Sequence, residues 1–273
     1  MRKEGFCAYG ASHIQTLLAQ VRPLIRQSDW TPDALEMLRE SLFTLQVCLR
    51  VFQPCFPPTR IAFWKRRLRR VLRALHQLEL NQRLLDWLSQ RDAPPPARAG
   101  IERVRLRLHQ VQETHLQRLH TALQQLQRDH VLEEIGGLSR RWAESFAQEP
   151  PCTDYASQQW QACLREHRPA IENSTMALEL RWGRLRTLLK ASALLQPLLD
   201  EPLAPPEWHA LYQQLDEARF LHHARQQVEQ LMRAEKTLTE QYYGHARPFA
   251  RLQPGFQHLL RLLKEVETPE KPL

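Results

Sequence analysis

The segment from Arg60 to His76, RIAFWKRRLRRVLRALH, constrains the fold of this chain more than any other stretch. Its apolar residues recur every three or four positions, which places them in one stripe along an α-helix: Ile61, Trp64, Leu68, Val71, Leu72 and Leu75. A stripe of this kind is buried against neighbouring helices. We therefore predict a helix packed into the core, with Trp64 a core residue rather than a stacking platform for a ligand.

The same segment carries a second face that is strongly basic, and no carboxylate lies within it to neutralise the charge. The basic residues at helical spacing are Lys65, Arg66, Arg69, Arg70 and Arg73. Several guanidinium groups on one rigid helix bind phosphate oxygens strongly, so the spacing predicts an anion-binding face. The alternative is a solvated helix face whose arginine stems cover apolar surface.

The rest of the chain is also typical of helices. Only 8 of 273 residues are Gly, and 42% are hydrophobic, which leaves little material for β-turns and enough for a buried core. The sequence predicts an all-α fold with a helix start at Thr31-Pro32, where Thr31 is the N-cap. The predicted helices cover about 11–28, 31–52, 60–93, 99–146 with a break near 130, 154–167, 175–196, 206–235 and 255–266.

An internal repeat divides the chain in two. The pattern Thr31, Ala34-Leu35-Glu36, Leu42, Leu45 and Gln53-Pro54 recurs 143 residues later as Ser174, Ala177-Leu178-Glu179, Leu185, Leu188 and Gln196-Pro197. With Pro150-Pro151 as the boundary, we predict two tandem four-helix bundle subdomains, 1–150 and 151–273, with 1–29 as a leading helix.

The charge is divided unequally between these two halves. Residues 1–150 hold 23 Lys and Arg against 15 Asp and Glu, whereas residues 151–273 hold 15 of each. The basic first half predicts attraction to a polyanion.

With this repeat the chain resembles the CHAD family, the conserved histidine α-helical domain proteins, over nearly its whole length. The resemblance is carried by Arg39, by Arg50-Val51-Phe52-Gln53-Pro54 and the basic run from Lys65 to Arg70, and in the second half by Arg181, Arg184-Leu185-Arg186 and Gln196-Pro197. It implies two four-helix subdomains whose basic surfaces bind inorganic polyphosphate, and no catalysis. It adds Arg39, Arg181, Arg184 and Arg186 to the expected site.

The chain departs from the family pattern at the histidines. Glu36 stands where the first family His is expected, and the second-half position holds Glu179 or Met176, depending on the register. Because acidic residues repel phosphate, these changes weaken the binding inference more than the fold inference.

Other site chemistries lack their signatures. The histidines at 109, 115, 120 and 130 are not four residues apart, so we expect no metal site and no cofactor. There is no phosphate-cradling glycine loop, nucleophile elbow or HExxH, so we expect no enzyme. The 5 Cys are scattered, no apolar run could span a bilayer, and the N-terminus lacks a signal peptide; we expect reduced thiols and a cytoplasmic location.

The first hypothesis is therefore non-enzymatic binding of inorganic polyphosphate or a related polyanion by the basic helix face. A degenerate helical scaffold that binds a protein partner is the competing hypothesis, favoured by Glu36 and the neutral second half. Sequence-independent binding of nucleic acid is a third, but base-stacking aromatic residues are missing from the basic face.

Overall fold

The computed structural model describes residues 4–27, 29–146, 148–150 and 152–267. These residues form nine α-helices and two short 3₁₀ helices, Gln53–Cys55 and Arg247–Arg251, and contain no strand, so the all-α prediction is confirmed. The helices are α1 Glu4–Ile25, α2 Pro32–Val51, α3 Pro58–Ser89, α4 Arg98–Arg128, α5 Val131–Ser145, α6 Thr153–Glu172, α7 Leu178–Leu199, α8 Glu207–Tyr243 and α9 Gln253–Glu267.

The start of α2 follows the sequence pattern. The Thr31 side chain accepts a hydrogen bond of 3.2 Å from the Ala34 backbone N–H, and Pro32 occupies the first helical position. Thr31 therefore satisfies a backbone donor that would otherwise lack a partner, as predicted.

The start and end of α7 differ from the predicted repeat. Ala177 precedes the helix without a side-chain cap, so Ser174 is not the N-cap, and Pro197 lies inside the helix instead of ending it. Pro169, predicted to separate two helices, likewise lies inside α6. Both helices end within three residues of the proline, because a proline removes one backbone hydrogen bond and crowds the preceding turn without stopping the helix at once.

The described residues group into two compact units. The first comprises the chain up to His76 together with Arg118–Leu215; the second comprises Gln77–Gln117 and the chain from Asp216 onward. Helices α3, α4 and α8 each contribute residues to both units. Each unit therefore draws on both of the predicted sequence halves, and the division at residue 150 remains a prediction about the repeat.

The first unit is built on the apolar seams of its helices. Helix α1 packs against α2 and α5, α6 packs against α7, and α2 contacts both α6 and α7. The stripe of the basic helix is buried as predicted, with Trp64, Leu68 and Val71 fully inaccessible to solvent. The Trp64 indole N–H donates a 2.9 Å hydrogen bond to Glu134 on α5, which satisfies its polar group inside the core.

The second unit has its own core, made by the end of α3, the first part of α4, α8 and α9. Gly100 on α4 and Gly255 on α9 approach so closely that a Cβ on either would collide with the backbone of the other segment. Glu235, which is 2% exposed, is paired with Arg103 at 2.8 Å and with Arg107. These pairs compensate a buried charge.

One prediction about the cysteines is wrong. Cys7 on α1 and Cys55 in the first 3₁₀ helix form a disulfide across 48 residues of sequence, whereas Cys48, Cys152 and Cys163 are free. The spacing in sequence does not reveal this pair, because the two residues meet only through helix packing. Disulfides are rare in reducing compartments such as the cytoplasm, so the cysteines do not support the predicted cytoplasmic location.

None of the described helices has the length and apolar character needed to cross a bilayer.

Candidate functional site

The end of α2 and the start of α3 place the first group of basic side chains. Phe52 ends α2, the 3₁₀ turn Gln53–Cys55 follows, and Phe56 leads into α3. Both phenylalanines are buried, at 0% and 5% exposure, so they anchor the turn in the core. Arg50 therefore lies just before an anchored turn and faces the same cavity as Lys65 and Arg69 of α3.

Helices α6 and α7 supply the other group. The buried stripe of α6 includes two residues that are not simple hydrophobes, Cys163 at 6% and His167 at 1% exposure. Glu166 adjoins this stripe, and Arg184 extends from the neighbouring helix α7. Two helices from late in the sequence thus complete a cavity begun by two early ones.

These elements line one cavity of about 690 Å³. We call it the cation pocket and define it by the charged and thiol side chains in its lining: Arg50, Lys65, Arg69, Arg184, Glu166 and Cys163. Lys65 and Arg69 belong to the predicted basic face, and Arg184 belongs to the expected second-half site. The structure therefore brings predicted residues from both sequence halves to one place.

A single carboxylate partly neutralises the pocket. Oε1 of Glu166 pairs with Arg50 and lies 3.5 Å from Nη1 of Arg184. Two guanidinium groups thus converge on one carboxylate oxygen, and guanidinium groups form the same charge-assisted hydrogen bonds with phosphate oxygens. The pocket lining holds four cations and one carboxylate, which leaves a surplus of three positive charges.

The pKa values in the pocket reflect burial first and the proximity of like charges second. Burial, with repulsion from Arg50 and Arg69, lowers the pKa of Lys65 to about 8. Burial also lowers the pKa of Arg50, and Arg184 and Arg69 lower it further. Burial raises the pKa of the Cys163 thiol, although Arg50 and Lys65 oppose the change. The cations are therefore held close to one another, and a bound anion would relieve their repulsion.

His167 fixes the position of Arg184. Its Nδ1 lies 3.0 Å from Arg184 Nη1, and because a guanidinium group can only donate, Nδ1 is the acceptor and Nε2 carries the proton. Burial, together with the charges of Arg50 and Arg184, lowers the pKa of His167 to about 3. The imidazole is thus neutral at physiological pH and serves Arg184 as a hydrogen-bond acceptor.

A second group of charged residues, on α2 and α7, contains more carboxylates than the cation pocket. We call it the Glu40 cluster and define it as Glu36, Arg39, Glu40, Arg186 and Lys190. Glu40 pairs with Arg186, with Arg39 at 3.2 Å and with Lys190 at 3.5 Å. Glu36 accepts two further hydrogen bonds from Arg39, of 2.8 and 2.6 Å. Arg39 and Arg186, both expected in the site, are therefore engaged by carboxylates.

Arg186 and Glu40 of this cluster have further stabilising contacts. The Arg186 guanidinium lies over the Phe43 ring, 4.0 Å from its centroid. Burial alone would raise the pKa of Glu40, but Arg186, Arg39 and Lys190 outweigh it and hold that pKa below its ordinary value. Glu40 is thus the internal anion of this cluster.

The remaining predicted residues lie outside the cation pocket. Arg66, Arg70 and Arg73 are exposed on α3 and are not part of the cavity lining. Arg181 donates a 3.2 Å hydrogen bond to the carbonyl of Ile171, which ties α7 to the end of α6. Arg67, between the predicted residues, pairs with Asp129 and lies over the Phe63 ring.

The sequence analysis missed Glu166, His167 and Cys163, and it named Arg50 only as part of the family pattern. A signal for them does exist. Cys163 and His167 continue the apolar stripe of α6 that starts at Ala156 and Trp160. A histidine in an otherwise apolar stripe needs a polar partner inside the protein, which points to a buried polar site.

Among the described residues, no group of three or more His, Cys, Asp or Glu side chains is placed to hold a metal ion. The fold and the cavity define a class: an all-helical protein with a pocket whose charged lining residues are four cations and one carboxylate.

Comparison with known proteins identifies the family. The CHAD domain model matches residues 8–265, so this chain belongs to the CHAD family, and the resemblance drawn from its residues is confirmed. CHAD domains are associated with polyphosphate binding and are generally non-catalytic binding domains.

Among solved structures, the chain is similar to PptA from Streptomyces chartreusis, a CHAD-domain protein. The two share 14% identity over 96% of this chain and 97% of that one, with a TM-score of 0.57, which supports a common fold. No curated protein matches the sequence.

Proposed function

We propose that this protein binds inorganic polyphosphate or a related polyanion, with the cation pocket as its principal site. The observation that carries the proposal is the convergence of Arg50, Lys65, Arg69 and Arg184 on one cavity with a single carboxylate among them. Cations that depress one another's pKa are stabilised when an anion enters. The exposed residues Arg66, Arg70 and Arg73 add a secondary, solvent-screened attraction along α3.

A matched pair of double variants tests the assignment of the site. Lys65→Ala with Arg69→Ala removes two charges from the pocket, whereas Arg66→Ala with Arg70→Ala removes two charges from the same helix outside the cavity lining. Affinity for long-chain polyphosphate is measured by calorimetry at about 0.15 M salt, where the Debye length is about 8 Å. We expect the pocket variant to lose about tenfold or more in affinity and the control variant to lose clearly less.

The salt dependence of binding supplies a second readout. Binding of a polyanion releases counterions, so the affinity of the wild type falls steeply as salt rises, and removing a cation that binds phosphate makes that slope shallower. Circular dichroism checks that both variants keep the helix content of the wild type. Equal losses of affinity in the two variants would contradict the pocket as the principal site.

The helical scaffold for a protein partner is the second candidate. It is favoured by the Glu40 cluster, in which carboxylates already occupy arginines expected in the site. It predicts that the wild type binds polyphosphate no more tightly than another polyanion of matched charge. That result, at the salt concentration given above, would replace the first proposal with the second.

A further inference from the structure

The cation pocket differs from a basic surface in the directions from which its charges approach. Its cations come from three helices: Arg50 from α2, Lys65 and Arg69 from α3, and Arg184 from α7. The fourth wall is α6, which contributes Glu166. A ligand inside the cavity is thus contacted from several sides, whereas a ligand on the exposed face of α3 is contacted from one.

Polyphosphate offers two chemically different groups to such a site. An interior phosphate has two non-bridging oxygens and one negative charge. A terminal phosphate has three non-bridging oxygens and, above its second pKa of about 6, close to two negative charges. A site with donors on several sides therefore satisfies a terminal phosphate more fully than an interior one.

The charges agree with this interpretation. Four cations and one carboxylate line the pocket, giving a surplus of three positive charges, and His167 beside Arg184 is neutral. A terminal phosphate and its first interior neighbour together carry about three negative charges at neutral pH. A site that is partly shielded from water favours a ligand whose charge is equal to the charge of the site in size and opposite in sign.

The oxygen of Glu166 marks where one phosphate oxygen would lie. Arg50 and Arg184 both reach Oε1 of this half-exposed side chain, so an incoming oxygen that replaced Oε1 would find two guanidinium groups in place. Lys65 and Arg69 remain for the other oxygens. On α3, Arg73 follows Arg69 by one turn, about 6 Å further along the helix, where the next phosphates of the chain could be bound.

We infer that the cation pocket recognises the terminal phosphate of a polyphosphate chain rather than its interior. The inference rests on the proposed function and adds the part of the ligand that is recognised. It predicts that one chain long enough to hold its two ends apart binds two protein molecules in this mode, one at each end. A site that recognises the interior would bind more molecules as the chain becomes longer.

The test compares long-chain polyphosphate with the same polymer whose two terminal phosphates are blocked as phosphoramidates of an uncharged amine. For the wild-type protein we expect the free polymer to bind about tenfold or more tightly than the blocked one, because blocking removes a charge and an oxygen at each end. The Lys65→Ala, Arg69→Ala variant should lose this difference. The Arg66→Ala, Arg70→Ala variant should keep it.

Stoichiometry and competition complete the experiment. Sedimentation with polymers of two lengths should give two wild-type molecules per chain for both. Competition by tripolyphosphate and not by adenosine triphosphate would assign the pocket to inorganic chain ends, and competition by both would assign it to terminal phosphates in general; either result supports the inference.

The outcomes separate the two proposals. Equal binding of free and blocked polymer, still dependent on Lys65 and Arg69, would overturn recognition of the chain end and leave the proposed function intact. A number of bound molecules that grows with chain length would also overturn the inference. Binding of neither polymer beyond a matched polyanion would overturn both.

Discussion

The cation pocket and the Glu40 cluster use arginines only two residues apart on α7, yet they differ in how far carboxylates neutralise their cations. Arg184 faces a cavity in which four cations share one carboxylate. Arg186 joins a cluster in which three cations, Arg39, Arg186 and Lys190, meet Glu40 while Glu36 holds Arg39 a second time. The number of arginines is similar in the two groups, and the number of carboxylates beside them is what differs.

The pKa shifts express the same contrast. In the pocket it is cations, Lys65 and Arg50, whose pKa values are lowered, because burial and like charges disfavour them. In the Glu40 cluster it is a carboxyl whose pKa is lowered, because three cations stabilise its charge. The pocket has one carboxylate, Glu166, for four cations, whereas the Glu40 cluster has two carboxylates for three.

Single substitutions of the two arginines should give the largest contrast. Arg184→Ala should lower polyphosphate affinity about tenfold or more, since a charge-assisted hydrogen bond contributes about 1.5–3 kcal/mol. Arg186→Ala should change affinity by less than about twofold but destabilise the fold by about 1–2 kcal/mol, because Glu40 loses a partner and Phe43 its stacked cation. Calorimetric binding and urea unfolding of each variant separate the two effects. A loss of affinity in Arg186→Ala as large as in Arg184→Ala would make the Glu40 cluster part of the site.

Neutralising the two carboxylates is the next test. Glu166→Gln should raise polyphosphate affinity about threefold to tenfold, because it removes an internal competitor for Arg50 and Arg184. Glu40→Gln should give a smaller gain, since Arg39 stays paired with Glu36 and Arg186 stays over Phe43. The affinities are measured at one salt concentration, with thermal unfolding as the control for stability. Equal gains in the two variants would mean that both clusters accept the anion.

The pH dependence of binding should follow Lys65. With its pKa lowered to about 8, this lysine loses its charge as pH rises through that value, so affinity should fall between about pH 7 and 9. Bound anion favours the charged form, so binding near pH 8 should take up protons, which calorimetry in two buffers of different ionisation enthalpy detects. Lys65→Arg should flatten the profile, because an arginine stays charged throughout this range. An unchanged profile in that variant would assign the titration to another group.

The smallest predicted effect is on stability in mild acid. The pKa of His167 is about 3 in the folded protein and about 6.5 when exposed, so the unfolded chain binds the extra proton between these values. Stability should therefore decrease as pH falls below 6.5, and His167→Gln should reduce that decrease. Glu40, whose pKa is lowered from 4.5, contributes a loss only at lower pH. Urea unfolding at pH 7 and at pH 5 isolates the histidine, and an identical change in stability for wild type and variant would contradict its assigned state.

Much of the fold follows from local sequence. Thr31 and Pro32 start α2, and the stripe that contains Trp64 buries one side of α3, as the three-and-four spacing predicts. These features depend on residues within one or two turns of each other, so the sequence pattern contains the information. The basic face of α3 was predictable for the same reason, and Arg66, Arg70 and Arg73 are exposed there.

Errors arose at helix ends and at one contact between elements far apart in sequence. Pro169 and Pro197 do not separate helices, Ser174 caps none, and Cys7 pairs with Cys55 through the packing of elements far apart in sequence. Local rules estimate only the intrinsic cost of continuing or ending a helix, and contacts with neighbouring helices change that balance.

By itself the sequence determined the helical class, the buried stripe and the supply of basic residues, because periodicity and composition are properties of neighbours along the chain. Only the tertiary structure decided which basic residues lie together. It brought Arg184 to Lys65 across more than a hundred residues, placed Glu40 against Arg186, and buried His167 as the acceptor for Arg184. The physical reason is that ion pairing and desolvation depend on distances of a few ångströms in space, and those distances are set by helix packing.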